Sequence, residues 1–504
     1  READARVEAE LAAARSVRTS EFLSTMLSSA DPGEMGKDVT VRDMIAAAEP
    51  SIAGEFKDEP LVESSLRLAL AQTFSALGEI DKAHAQYARH VELLDIEPEI
   101  MAIARVAVVA EWSSMLVNHG RIEEGAQLLD QSTAIAATLD PMNIARIMHD
   151  EAVANLLLTI GDYDAALPLY ADVYERAGRS DDAENFDTMA NNYAIALTYV
   201  GDYETAAQIS QVSMDARRVR LGPDHPETML AAINHAQVLS VTDPIAAAEL
   251  VNRLIPKMIE QLGPMHPTSI GARRMRGELL AASGEVEAGA EVLGELLAEL
   301  PDDAGTVRLS VQNSLATALN DLGRYDEAVS HYRAATSAMQ SMFGPEHPDT
   351  LIGRANLATA LGNAGDYEGA RTELKDILAV QQELLGAGNV NALITMNNLA
   401  MVNLELGRLD EAEDLLRTFV VGIEAVGAPV NVTLGRRNLG RVLTAAGKFE
   451  QAEIELTEAF TGTQQLLGPA QQAKSAGYLA ELYEAWNKPD EAERWRTVEA
   501  ELGE

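Results

Sequence analysis

A helix-ending glycine that returns every 39 to 42 residues constrains this chain more than any other feature. The copies read Leu77-Gly78-Glu79-Ile80, His119-Gly120-Arg121-Ile122, Ile160-Gly161-Asp162-Tyr163, Val200-Gly201-Asp202-Tyr203, Ser283-Gly284, Leu322-Gly323-Arg324-Tyr325, Ala364-Gly365-Asp366-Tyr367, Leu406-Gly407-Arg408-Leu409 and Ala446-Gly447-Lys448-Phe449. Degenerate copies stand at Asp243-Pro244 and Asn487-Lys488-Pro489. Five residues after each marker comes a small residue: Ala83, Gly125, Ala166, Ala206, Ala248, Gly289, Ala328, Ala370, Ala412, Ala452 and Ala492. Glycine ends a helix because it accepts left-handed backbone angles at low cost. The polar residue after it is placed to cap a second helix. One turn later the two helices cross closely, and only Ala or Gly leaves room. Asp243 is expected to take the left-handed conformation in place of glycine, and Pro244 and Pro489 fall near the first turn of the second helix, where proline is tolerated. A period of this length, held along most of a chain, is the signature of stacked supersecondary units.

Between repeats runs a second recurring segment, Leu221-Gly-Pro-Asp-His-Pro-Glu-Thr228, Leu262-Gly-Pro-Met-His-Pro-Thr-Ser269 and Phe343-Gly-Pro-Glu-His-Pro-Asp-Thr350, with weaker versions at Leu385-Gly386, Val426-Gly427 and Leu467-Gly468-Pro469. The glycine stops one helix, the first proline prevents its continuation and the second starts the next. His225, His266 and His347 come one per repeat, so they cannot converge on one metal, and they read as structural. The expectation is an all-α chain, an α-α superhelix of about eleven two-helix repeats over residues 61–504. A connector or capping helix at 1–30 and a linker with a short helix at 31–60, capped by Thr40, precede it.

Composition agrees. Hydrophobic residues are 47% but aromatic residues only 5%, so Ala and Leu carry the apolar mass that helix-on-helix packing needs. The nearest thing to a membrane span, Met101–Ala110, is interrupted by Arg105, well short of the roughly 20 residues needed. The formal charge of −40, from 79 acidic against 39 basic residues, repels phosphate backbones and argues against nucleic acid. It suits a basic protein partner, or reflects only a generally acidic, lysine-poor composition. The chain has no cysteine, which excludes disulfides, thiol chemistry and thiolate metal sites. No phosphate-binding glycine loop, no His-Glu-x-x-His and no kinase element occurs, His149-Asp150 lacks a nucleophile nearby, and neither catalysis nor a cofactor is expected.

The helix-Gly-Asp-Tyr-x-x-Ala pairs resemble tetratricopeptide repeats, and the longer period with its Leu-Gly-Pro-x-His-Pro linker resembles the kinesin-light-chain subtype. The first three repeats depart from it by lacking the Pro linker. The segment Glu21–Pro32 followed by Asp38-Val39-Thr40-Val41-Arg42 is similar to the stretch joining a transmembrane helix to tetratricopeptide repeats in bacterial Ser/Thr protein kinases. Since the chain opens on Arg1 without Met, that similarity implies a kinase domain and membrane tether upstream, with the repeats on either side of the inner membrane.

The candidate binding residues form a row of asparagines. Asn192, Asn234, Asn356, Asn398 and Asn438 stand nine residues before the marker, with Asn191, Asn313 and Asn397 one position earlier. One helical position repeated through a stack makes a ladder down one face. In the tetratricopeptide family that position lines the concave groove, and in the kinesin-light-chain subtype similar asparagines hold the backbone of a bound peptide. An amide offers donors and an acceptor, so it can clamp a peptide bond without reading its side chain. The same amides could instead bond neighbouring helices. Arg437 and Arg441, on consecutive turns around Asn438, are placed to pair with an acidic ligand group, as are Arg273 and Arg274 near the equivalent position; abundant Glu could equally hold them internally. These features together point to a protein- or peptide-binding scaffold, the sensor or docking region of a larger signalling protein. Self-assembly into a ring or filament is the second expectation.

Overall fold

The computed structural model describes residues 18, 41–96, 101–180, 183–302 and 304–503. The expected helix at 1–30, the Thr40 cap and most of the kinase-like segment lie outside them. Among the described residues there are 23 helices and no strand. A short helix, Val41–Glu55, comes first. Eleven antiparallel pairs follow, from Pro60–Ala76 with Ile80–Leu94 in repeat 1 to Pro469–Ala485 with Pro489–Gly503 in repeat 11.

The glycine turns close as the sequence predicts, but the residue after them caps the second helix through its side chain only where it is Asp. Asp202 and Asp366 accept from the Thr205 and Gly369 N–H, whereas Glu79, Arg121, Glu285, Arg324, Arg408 and Lys448 make no such bond. The nine marker glycines all take positive φ, from +70° at Gly447 to +94° at Gly284. In repeat 8 the Asp366 N–H reaches back to the Leu361 carbonyl at 2.9 Å and the Gly365 N–H to Gly362 at 3.0 Å, the paired bonds of a Schellman end. Asn487 replaces glycine in repeat 11 with φ +58°, which asparagine tolerates.

Repeat 5 departs from expectation. Asp243 is not left-handed (φ −145°); it ends the helix Pro226–Thr242 and at once caps Pro244–Leu262, its side chain accepting from the Ala246 N–H. The turn is one residue shorter than elsewhere. The residue at the helix crossing is therefore Ala247, fully buried, and not Ala248, which stays partly exposed. Its N–H bonds the Asp243 carbonyl, as Ala206 bonds Asp202 and Ala370 bonds Asp366 in their own repeats.

The crossing explains why the position is small. A Cβ added to Gly289 would lie 2.5 Å from the Gly277 carbonyl oxygen and 2.9 Å from the Ala281 nitrogen. Backbone stands there, and it cannot swing aside as a side chain end would. Packing of this kind produces a series of local cores. One joins Ile45 and Ile52 of the short helix, and Phe56 just after it, to Phe74, Tyr87 and Trp112. Another runs from Ile270 to Ala370, and a third from Val390 to Ala492. The structure forms two compact units: residues up to Thr159 with Pro168–Ala183, and Ile160–Leu167 with 184–504.

Candidate functional site

The linker histidines are helix caps. Nδ1 of His225, His266 and His347 accepts the N–H of the residue two further on, at 3.3, 3.2 and 3.1 Å, and each histidine precedes the Pro that opens the next helix. Accepting at Nδ1 requires the proton on Nε2 in the neutral ring. In repeat 9 Asn389 does the same through Oδ1, 2.9 Å from the Asn391 nitrogen. The helix-starting role was visible in the prolines, whereas the histidine's own part was not, because imidazole is an uncommon cap beside Ser, Thr, Asp and Asn.

The asparagine ladder exists, and most of it bonds to itself. Asn234 Nδ2 donates to Asn191 Oδ1 at 2.8 Å, Asn356 to Asn313 at 3.2 Å and Asn438 to Asn397 at 2.9 Å. Each bond links the first helices of successive repeats. Within repeats, Asn191 donates to Asn192 at 3.4 Å and Asn397 to Asn398 at 3.3 Å. A further rung that the sequence reading missed joins Asn363 to Asn320 at 2.9 Å, two helical turns along the same face. Its signal, an Asn near the end of both first helices, was present but lay seven residues beyond the ladder position. Asn398 stands apart. The residue that would partner it in repeat 8 is Ala355, so no inter-repeat amide reaches it among the described residues.

Asn398 lines a cavity of about 420 Å³. Tyr325 and Tyr367, the tyrosines that follow the turns of repeats 7 and 8, supply its apolar walls with Met401, and Asn363, Glu405 and Arg441 its polar ones. Arg441 and Arg437 both lie over the Tyr478 ring, 4.7 and 5.9 Å from its centroid, and Arg437 donates to Gln471 at 3.0 Å. Burial lowers the Arg437 pKa, with the Tyr478 oxygen opposing and the Arg441 charge adding to the shift. Its Nε is buried without a partner. Neither arginine pairs with a carboxylate among the described residues. Arg273 and Arg274 do: Arg273 bonds Glu299 at 2.7 Å, and Arg274 bonds Glu278. The four arginines thus divide into two paired with carboxylates and two in contact with one tyrosine ring.

A wider depression of about 620 Å³ lies between Glu424 and Leu466. Its arginine, Arg436, is enclosed by Glu424, Glu455 and Glu458 at 2.6, 3.0 and 2.5 Å, and its other lining residues carry no further cation. It holds none of the ladder residues. The smaller cavity, where the ladder meets Arg441, which makes no ion pair among the described residues, is the better candidate. Among the described residues no group of side chains is arranged to hold a metal, and no helix is long and apolar enough to cross a membrane.

Models of the tetratricopeptide repeat match residues 307–374, 353–418, 188–227 and 436–473. Those segments are tetratricopeptide repeats, and the chain is an all-α solenoid built on them. Among curated proteins no sequence relative matches the chain. Solved structures similar to it include a Podosopora anserina protein described as a kinesin light chain with nearly identical TPR-like repeats, at 23% identity over 40% of this chain and 97% of that one, with a TM-score of 0.35. A Rap protein complexed with Competence and Sporulation Factor covers 71% of this chain and 99% of its own at 14% identity and a TM-score of 0.46. The quorum sensor NprR from B. thuringiensis covers 70% and 98% at 15% identity and a TM-score of 0.45.

Proposed function

We propose that this chain is a protein-binding scaffold that takes up an extended segment of a partner across repeats 7 to 10, with an acidic group of that segment seated against Arg437 and Arg441. One observation carries the reading. In a chain of net charge −40, these two arginines are left without a carboxylate next to a cavity walled by two tyrosines and an asparagine with no inter-repeat partner. Two neighbouring guanidinium groups repel each other, and an anion between or beside them relieves that repulsion while accepting their donors. Tyr478 holds both planes by cation–π contact, so their positions are set before the ligand arrives. Asn398 supplies a backbone-reading amide, and Tyr325 and Tyr367 supply apolar surface for a side chain.

The role of the ladder divides on this account. Asn191, Asn234, Asn313, Asn356, Asn397 and Asn438 set the spacing of the first helices, and Asn398 meets the ligand. The overall acidity favours a basic partner in bulk, while the site selects an acidic residue at one position. The reading extends to a sensor or docking role within a larger signalling protein.

Panning the purified chain against a random peptide library tests the proposal. Enriched peptides should carry Asp or Glu at a fixed position, and Arg437→Gln with Arg441→Gln should remove that preference and weaken binding at least tenfold. Enrichment without an acidic position, or with one that survives the double substitution, would sink it.

A further inference from the structure

One ion-pair arrangement occurs twice in the array, and its second copy carries an extra carboxylate. In repeat 8, Arg354 of the first helix is held by two carboxylates of the second, Glu373 at 2.8 Å and Asp376 at 3.8 Å. Repeat 10 has the same set in Arg436, with Glu455 at 3.0 Å and Glu458 at 2.5 Å. It adds Glu424, from the end of the second helix of repeat 9, at 2.6 Å. Counted from the turn glycines Gly407 and Gly323, the position equivalent to Glu424 ahead of repeat 8 is Gln340. Two residues, Gly427 and Ala428, separate the helices before repeat 10, where four, Gly344–His347, do so before repeat 8. Beside this short linker lies the depression of about 620 Å³, with Glu424, Glu458 and Arg436 on its wall and Pro429, Val432 and Leu466 as its apolar lining. The Arg436 side chain is accordingly 25% exposed, against 11% for Arg354.

We propose that this depression docks a lysine or arginine side chain of a partner protein, its charge paired with Glu424 and Glu458 and its methylene stem laid on Val432 and Leu466. The charges do not balance without it. One guanidinium faces three carboxylates, and its bonds engage a single oxygen each of Glu424 and Glu458, so the second oxygen of each can accept from a ligand. Burial raises the Glu455 pKa although Arg436 stands beside it, and the Glu458 charge adds to the shift; a second cation would oppose both. These carboxylates are not arranged to hold a metal. An apolar floor next to them suits a charge carried on a long methylene stem, which is the form of Lys and Arg. Leu466, 43% exposed, offers such a stem an uncovered surface. The field of a chain with net charge −40 draws basic segments towards the surface, and the depression gives one side chain a fixed seat. Arg436 precedes Arg437 by one residue, roughly 100° round the same helix, so this seat is turned away from the paired arginines. The inference stands independently of what they bind.

Panning a random peptide library against the full chain carrying Arg437→Gln and Arg441→Gln tests it, because that background removes the other site. Enriched peptides should share a Lys or Arg at a fixed position. Adding Glu424→Gln and Glu458→Gln should weaken their binding by roughly tenfold or more, as the loss of charge-assisted hydrogen bonds implies. Glu455 still holds Arg436 in that variant, and circular dichroism should be unchanged. Glu346→Gln with Glu383→Gln removes the same charge from exposed positions outside the depression and should change binding by less than about twofold. Thr461→Trp, at an exposed lining position, fills the depression without altering charge and should match the loss in the Glu424 and Glu458 variant. Enrichment without a basic position, binding that survives either the Glu424 and Glu458 changes or Thr461→Trp, or an equal loss in the control pair would each overturn the proposal.

Discussion

At the scale of single residues, the molecule assigns different work to chemically identical side chains. Asn397 and Asn398 are sequence neighbours, yet one accepts from Asn438 in the next repeat and the other borders the cavity. What separates them is the residue each meets one repeat away, Asn438 for the first and Ala355 for the second. Asn438→Ala should therefore lower stability by about 1 kcal/mol, the usual cost of a lost hydrogen bond, with the loss visible in urea denaturation followed by circular dichroism. Asn398→Ala should leave the denaturation midpoint within about 0.5 kcal/mol of wild type and weaken peptide binding. A reversed pattern would show the roles to be exchanged. This split was not legible in the sequence. The ladder positions were, because a residue type recurring at a fixed offset needs no three-dimensional knowledge. Which amide faces a partner depends on a position about 42 residues away, and no periodicity reports it. The pairing of Arg274 with Glu278, one helical turn on, was legible from spacing, whereas that of Arg273 with Glu299, on the second helix of its repeat, was not.

At the scale of the helix pair, the rule that a small residue marks the crossing was readable almost throughout, and its failure in repeat 5 has a simple cause. Residues 246–248 are all alanine, so a turn shortened by one residue moves the crossing from Ala248 to Ala247 without changing the letter found at the expected place. The hydrogen bond from Ala247 to Asp243 and the burial of Ala247 show the shift. The two crossings occupied by glycine differ in tolerance. At Gly125 an added Cβ would first meet a side chain methyl, Val117 Cγ2 at 2.6 Å, which has some freedom to turn. At Gly289 it would meet backbone on the facing helix. Gly289→Ala should destabilise its repeat by about 1–3 kcal/mol, the range for overpacking, and more than Gly125→Ala does. Hydrogen exchange confined to repeats 5 to 7 should show the loss. Equal protection in Gly289→Ala and wild type would mean that the helices part at no cost.

At the scale of the whole molecule, stability resides in successive local cores, each shared by neighbouring repeats, as expected of a repeat array. The final helix, Pro489–Gly503, buries only Ala492 and turns a charged face outward. The array itself could be read from its period. Its division into two compact units could not, since every turn in the sequence looks equally continuous. The central claim is that the cavity between repeats 7 and 10 holds a ligand through Asn398, the tyrosine walls and the paired arginines. Photocrosslinking tests it most directly, with benzoylphenylalanine in place of Tyr367 and a library-selected acidic peptide as ligand. The account predicts a covalent adduct that disappears when Arg437 and Arg441 are both changed to Gln. An adduct that persists in that variant, or one formed equally well from the same group placed at exposed Tyr199, would contradict it.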